Sequence, residues 1–126
     1  MLCLNINPNI LKILEKHLNK VNWTILSKNE MAIPLLEKHL NKVNWSVLSR
    51  NKGAIHILSK NLDKINWYEL SRNNMAIDLL KQHIDKINWN NLSINKSAII
   101  LLRYRIEYEN SLTKNSYNNL RDKVNW

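Results

Sequence analysis

A nine-residue stretch, "EKHLNKVNW", occurs twice without a change, at residues 15–23 and 37–45. Two related stretches follow at the same interval, "SKNLDKINW" at 59–67 and "KQHIDKINW" at 81–89. The period is 22 residues, and it places four tryptophans at equal intervals: Trp23, Trp45, Trp67 and Trp89. A fixed period of this length is typical of a chain built from small units that cannot bury their apolar faces alone. The units must therefore pack on one another.

A recurrent asparagine sets the frame of these units, and we take it as position 1 of each repeat. The complete repeats are numbered 1 to 4 and span 7–28, 29–50, 51–72 and 73–94. Repeat 5 is partial and spans 95–109, with "EYENS" in place of "DKINW". Residues 110–126 keep only traces of the pattern and are predicted to form a degenerate C-terminal cap, because an end repeat must meet water. The 126 residues are predicted to be one repeat domain.

The apolar residues of each repeat follow a helical spacing. In repeat 2 the intervals between them are those of one helical face, as shown by Ala32, Ile33, Leu35, Leu36, Leu40 and Val43. This spacing predicts a first helix of about ten to twelve residues in every repeat. Pro34 would remove a hydrogen bond from a helix that began at Asn29, so the helix either begins nearer Met31 or is kinked.

A second, very short helix is predicted to follow, carrying the tryptophan and a leucine three residues later. Four asparagines are its predicted N-caps: Asn22, Asn44, Asn66 and Asn88. One glycine and two prolines in the whole chain leave little material for the tight turns of a sheet. We therefore predict an all-α fold, a short α-solenoid of 22-residue two-helix repeats with a C-terminal capping helix.

Three segments, "AIPLLEKHLNKVNWSVLS", "AIHILSKNLDKINWYELS" and "AIDLLKQHIDKINWNNLS", show the consensus of the repeat. This consensus resembles the short asparagine-rich repeats that are abundant in proteins of mimivirus-like giant DNA viruses of amoebae. The resemblance covers residues 7–102. It implies a viral or virus-associated origin and a repeat scaffold, and it implies no catalytic residue.

Basic residues recur at three positions of the repeat and contribute to a formal net charge of +9. They are Lys16, Lys38 and Lys60 at position 10, Lys20, Lys42, Lys64 and Lys86 at position 14, and Lys28, Arg50 and Arg72 at position 22. On one helix, Lys16 and Lys20 would be like charges one turn apart, a cost of roughly 0.2–0.5 kcal/mol that favours an anionic partner. Alternatively, such lysines stabilise helix C-termini through the helix dipole. A polyanion-binding face and a solvated surface both remain open.

Three further columns favour structural interpretations. The tryptophans are predicted core residues rather than a stacking platform for bases. His17, His39 and His83 share position 11, but packed helices lie roughly 8–10 Å apart, too far for these imidazoles to share one metal ion. No metal site is therefore predicted. The asparagines are nearly constant, which fits capping and hydrogen-bond ladders between repeats better than base recognition, where the reading positions vary.

The two ends of the chain carry candidate partner-binding segments. In the tail, four residues of types common at interface hot spots are candidates: Arg103, Tyr104, Arg105 and Tyr108. A capping helix would show similar amphipathicity. At the other end, "MLCLNI" is apolar and offers no polar cap. A homodimer through this segment or through open repeat ends is therefore an alternative.

No catalytic site is predicted. Gly53 alone cannot form a phosphate-binding loop, and Ser27, Ser49 and Ser71 recur without a histidine and a carboxylate arranged around any one of them. The longest apolar run, "AIILL" at 98–102, is too short to cross a bilayer, and no secretory signal opens the chain. We expect a soluble intracellular protein, in the host cytoplasm or the virion, that needs no cofactor.

The expected function is a non-catalytic repeat scaffold for protein–protein interaction, whose protein partner the sequence does not identify. Two alternatives belong to other classes. One is binding of nucleic acid or another polyanion through the basic columns. The other is self-assembly through the repeat ends.

Overall fold

The computed structural model describes residues 8–124, and the side chains of residues 9–114. Every regular element in this part of the chain is a helix, and no strand occurs in it. The predicted all-α class is thereby confirmed. The segment "MLCLNI", for which a dimer contact was considered, lies outside the described residues.

Nine α-helices lie between residues 8 and 124: α1 (Pro8–Glu15), α2 (Trp23–Ser27), α3 (Ile33–Lys38), α4 (Trp45–Leu48), α5 (Ile55–Ser59), α6 (Trp67–Leu70), α7 (Ile77–Gln82), α8 (Trp89–Leu92) and α9 (Ala98–Val124). Short 3-10 helices are interspersed with them: Leu18–Lys20, Glu30–Ala32, Lys52–Ala54, Leu62–Lys64 and Ile84–Lys86. Each tryptophan of the 22-residue period is thus the first residue of a helix of four or five residues.

The first helix of each repeat is shorter than the apolar spacing predicts. The α3 helix has six residues, and the chain leaves helical geometry at position 11, where His39 has φ −135° and ψ 49°. Asn61 and His83 adopt nearly the same angles. The predicted helix of about ten to twelve residues is therefore wrong. Lys16 and Lys20 are therefore not like charges one turn apart on a single helix, because α1 ends before both of them.

Pro34 occupies the first turn of α3, which follows the 3-10 helix Glu30–Ala32. The missing N–H of proline costs nothing there, because the first N–H groups of a helix have no intrahelical partner. The prediction that this helix begins nearer Met31 than Asn29 is confirmed, since its first residue is Ile33.

Leucines at two positions of the repeat form the centre of the core. At position 8 and position 20 they have no solvent exposure in any of the first four repeats: Leu14, Leu36, Leu58 and Leu80, and Leu26, Leu48, Leu70 and Leu92. Each contributes roughly 1.5–3 kcal/mol by burial. The four tryptophans are half-buried and pack against this core rather than at its centre.

Small residues mark the contact between consecutive repeats. Ala32, Ala54 and Ala76 are fully buried at position 4. The 3-10 helix Glu30–Ala32 contacts its counterpart Lys52–Ala54, and α2 contacts α4. An alanine lets two backbones approach where a larger side chain would separate them.

The C-terminal helix α9 departs from the repeat pattern. It runs for 27 residues and packs against α7. It crosses the boundary that the sequence pattern places between residues 109 and 110 without an interruption. None of the described helices is long and apolar enough to cross a membrane.

Candidate interaction surfaces

The asparagine at position 1 joins its repeat to backbone oxygens of the two repeats before it. The Nδ2 group of Asn73 donates to the backbone oxygens of Ser49 and Asn51, at 3.1 and 3.2 Å. Its Oδ1 accepts from the backbone N–H of Met75 at 3.1 Å. Asn95 forms equivalent bonds, and Asn51 forms those to the Ser27 oxygen and the Gly53 N–H; all three asparagines are buried. Because these amides are buried and bonded to backbone groups, they are not accessible to bases.

The serine at position 21 forms a second link between repeats. Ser49 Oγ donates to the backbone oxygen of Trp45 at 2.7 Å and accepts from the backbone N–H of Asn66 at 3.0 Å. Ser27 and Ser71 make the same pair of bonds and have no solvent exposure. The sequence pattern excluded these serines as catalytic nucleophiles but did not predict this link. Their constancy, always 17 residues before a capping asparagine, was the available signal.

The four asparagines at position 16 cap the short helices, as predicted. Each side-chain oxygen accepts from the backbone N–H three residues later, at 3.1 Å for Asn22, Asn44 and Asn66 and 2.9 Å for Asn88. Asn44 and Asn66 also donate to hydroxyls of the preceding repeat. Asparagine is therefore nearly constant at positions 1 and 16 because its side chain forms hydrogen bonds with backbone groups.

Two of the histidines at position 11, His39 and His83, contact the tryptophan of the preceding repeat. The ring centroids of Trp23 and His39 lie 5.6 Å apart, and those of Trp67 and His83 lie 5.2 Å apart. Position 11 of repeat 5 is Arg105, whose guanidinium carbon lies 4.3 Å from the centroid of the Trp89 ring. Within the described residues no group of three or more His, Cys, Asp or Glu side chains is placed to hold a metal ion.

The structure divides the four tail candidates into two pairs. Arg105 packs on Trp89, and the Tyr104 ring lies 4.9 Å from Lys81 Nζ. These two side chains are half-buried and hold α9 against repeat 4. Arg103 and Tyr108 are exposed. Only the second pair is therefore available to a partner without rearrangement.

The three basic columns differ in their ion pairs. At position 10, Lys38 Nζ lies 3.0 Å from Glu15 Oε1, and at position 22, Arg50 Nε lies 3.4 Å from Glu69 Oε2. At position 14 all four members are exposed and none forms an ion pair with another described residue: Lys20, Lys42, Lys64 and Lys86. The position-14 column is therefore the one whose full charge faces solvent.

A cleft of about 320 Å³ is lined by residues of repeats 1 to 3: Lys28, Ser46, Val47, Arg50, Asn51 and Glu69. Ser46 and Val47 follow Trp45 at positions 18 and 19, where the residue differs in each of the four complete repeats. The Glu69 carboxylate offsets one of the two cations, and its Oε2 atom is buried without a hydrogen bond. Because the two signs of charge are mixed here, the cleft does not select an anionic ligand.

Apolar side chains on α9 are more exposed than the corresponding residues of the earlier repeats. Leu102 stands at position 8 and is 42% exposed, whereas the leucines at this position in repeats 1 to 4 have no exposure. Ile99 at position 5 and Ile106 at position 12 are 68% and 58% exposed. We name these three residues, Ile99, Leu102 and Ile106, the α9 face.

Protein-family models, curated proteins and solved structures give no match to this chain. The functional conclusion therefore depends on the surfaces described above.

Proposed function

We propose that the chain is a short α-solenoid that acts as a non-catalytic scaffold and binds a protein partner through the α9 face. The bonds from Asn51, Asn73 and Asn95 to the serine oxygen 24 residues earlier recur every 22 residues and support stacked repeats. The resemblance to giant-virus repeats adds a viral origin to the proposal.

One observation carries the proposal of a protein partner: each residue of the α9 face is more exposed than its counterparts in all the earlier repeats. A contiguous apolar surface is unusual on a protein that functions alone and is typical of an interaction site. Exposed Arg103 and Tyr108 lie on the same helix and are residue types enriched at interfaces. A partner that buries the three apolar side chains would gain roughly 1.5–3 kcal/mol for each one fully covered.

Affinity capture with matched variants tests this function. The double substitution Ile99→Lys and Ile106→Lys is expected to abolish retention of a partner that the wild-type chain retains. Both side chains are more than half exposed, so the helix should tolerate the change. Ile94→Lys is the control, because Ile94 is 59% exposed but precedes α9. A partner retained equally by all three proteins would show that the α9 face is not the binding surface.

The position-14 lysines support a second candidate function, binding of nucleic acid along a phosphate backbone. Four unpaired, exposed ammonium groups recur at one position of the repeat. A protein that neutralises four phosphates is expected to lose affinity on the order of a hundredfold between 50 and 200 mM salt.

Replacing all four position-14 lysines with glutamate is expected to eliminate binding to labelled mixed-sequence DNA and RNA. The control replaces four exposed lysines outside the three basic columns and changes the net charge equally: Lys12, Lys52, Lys96 and Lys114. Binding lost only in the first variant would identify the position-14 lysines as the nucleic-acid-binding residues. Equal loss in both variants would mean that net charge alone causes the binding, and no binding by the wild-type protein at 50 mM salt would exclude this function.

A further inference from the structure

The two ends of the described chain expose opposite halves of one interface. At position 7, Leu35, Ile57, Leu79 and Leu101 are at most 5% exposed, but Ile13 in repeat 1 is 51% exposed. At position 8 the reverse holds, since Leu14 in repeat 1 is fully buried and Leu102 in repeat 5 is exposed. Position 7 is therefore covered by the preceding repeat and position 8 by the following one.

Contacts around Gly53 show that position 5, like position 8, is covered by the following repeat. A Cβ atom added to Gly53, in repeat 3, would lie 3.3 Å from Cγ1 of Ile33, in repeat 2. Ile33 is thus covered by the repeat that follows it, and its exposure is 8%. Ile99 holds the same position in repeat 5 and is 68% exposed. Ile99 and Leu102 therefore lie on the surface on which a further repeat would pack, and Ile106 extends the same side of α9 by one turn.

We propose that the α9 face binds α1 of a second molecule of this chain, so that molecules associate head to tail. This inference rests on the proposed function and names the partner. The chain forms the same kind of contact between its own consecutive repeats, and Ile13 on α1 is the exposed position-7 residue that such a contact requires. The interface is heterologous, because a different surface of each molecule takes part, and it leaves one free face at each end.

Charge at the junction gives the association a characteristic salt dependence. Inside the chain, Lys38 at position 10 bonds to Glu15 at position 9 of the preceding repeat, at 3.0 Å. At the junction, position 9 is Arg103 and position 10 is Lys16 of the second molecule, so two like charges meet. Salt screens this repulsion and that between two chains of net charge +9. Association therefore strengthens with salt, which is the opposite of polyanion binding.

Sedimentation velocity of the purified full chain, from about 1 to 500 µM in 300 mM salt, tests the proposal. Wild-type protein is expected to increase in mass with concentration. A head-blocked variant, Ile13→Lys, and a tail-blocked variant, Ile99→Lys with Ile106→Lys, are each expected to remain monomers. Their equimolar mixture is expected to form a dimer that grows no further, because each variant keeps the face that the other lacks.

The outcomes separate this proposal from its rivals. A head-blocked variant that still dimerises alone would show an α9-to-α9 contact and overturn the head-to-tail arrangement. A wild-type protein that stays monomeric at 500 µM would also overturn it, while retention of a different protein by the α9 face would leave the proposed scaffold function standing. Circular dichroism verifies that each variant is folded, and Ile94→Lys should associate like the wild type.

A charge reversal provides a gain-of-function test. Arg103→Glu places a carboxylate where Glu15 stands relative to Lys38 inside the chain. We expect the dissociation constant of the head-to-tail contact to fall roughly three- to tenfold at low salt, since repulsion is replaced by an ion pair. The control Arg72→Glu, at an exposed residue far in sequence from both faces, should leave this dissociation constant unchanged. An equal gain from both reversals would mean that only the lower net charge matters and would contradict the proposed junction.

Discussion

Replacing Asn73 with aspartate is expected to lower the free energy of unfolding by about 3–5 kcal/mol at pH 7, the usual cost of an uncompensated buried charge. Asn73 is buried, and its Nδ2 group donates to the backbone oxygens of Ser49 and Asn51. A carboxylate has no N–H to donate, so it would face two carbonyl oxygens without a compensating cation. Urea unfolding followed by circular dichroism at 222 nm measures the loss.

The same variant should recover part of this stability as the pH falls. Burial and the two carbonyl oxygens raise the pKa of the introduced carboxyl in the folded state above the value of about 3.9 in the unfolded chain. A carboxyl group whose pKa is raised in the folded state costs no stability below its unfolded-state pKa. Its cost grows as the pH rises from the unfolded-state pKa through the folded-state pKa. The difference in free energy of unfolding between this variant and the wild type therefore becomes smaller as the pH is lowered from 7 to 4. Asn73→Ala does not titrate, so its deficit of about 2–3 kcal/mol should stay constant.

Asn44→Asp is the matched control for the aspartate substitution. Asn44 Oδ1 caps α4 by accepting from the backbone N–H of Val47 at 3.1 Å, and an aspartate caps equally well. The only side-chain donation lost is the one to Thr24 Oγ1, at 3.3 Å and exposed. We expect a change of less than about 1 kcal/mol. Equal losses at the two sites would show that the bonds from Asn73 to the two earlier repeats contribute no special stability.

The helical class and the caps followed from the sequence because their causes are local. Intervals of three and four residues between apolar side chains predicted helices, and an asparagine before each tryptophan predicted an N-cap. The end of the first helix at position 11 was not predicted from the sequence. Asn61 leaves helical geometry there with nearly the same angles as His39 and His83, so the break does not depend on a histidine ring, and no residue type at position 11 marks it.

The candidate surfaces were predicted less completely than the fold. Lys42 and Lys38 looked equivalent in sequence, and only the structure shows that Lys38 is paired with Glu15 while Lys42 is unpaired. Arg105 looked like part of an irregular tail, but it occupies the histidine position of the repeat and packs on Trp89. The α9 face could not be recognised from composition, because Leu102 and Leu80 have identical places in the pattern. They differ only in whether another repeat follows.

Removing one whole repeat, residues 51–72, is expected to leave a folded and cooperative protein. The deletion joins Arg50 to Asn73, which then stands 24 residues after Ser27 and can donate to its backbone oxygen as Asn51 does. Asn88 likewise becomes the residue whose N–H donates to Ser49 Oγ, in the place of Asn66. In a stack of repeats, stability is a sum over units and their contacts, so the shorter chain loses stability but keeps its unfolding transition. The urea m-value should fall by roughly a sixth, with the surface buried.

Deleting half as much sequence is expected to do more damage. Removal of residues 51–61 joins Arg50 to Leu62 and eliminates Asn51 with all of α5, so the short helix α6 has no first helix of its own repeat to pack against. The buried Ser27 carbonyl loses its donor, and Leu36 loses the repeat that covers it. We expect a broad, weakly cooperative transition and an exposed core that binds a hydrophobic dye. If the deletion of 22 residues proved as damaging as the deletion of 11, the contacts between repeats would not be interchangeable, and the proposed stacking of equivalent units would be wrong.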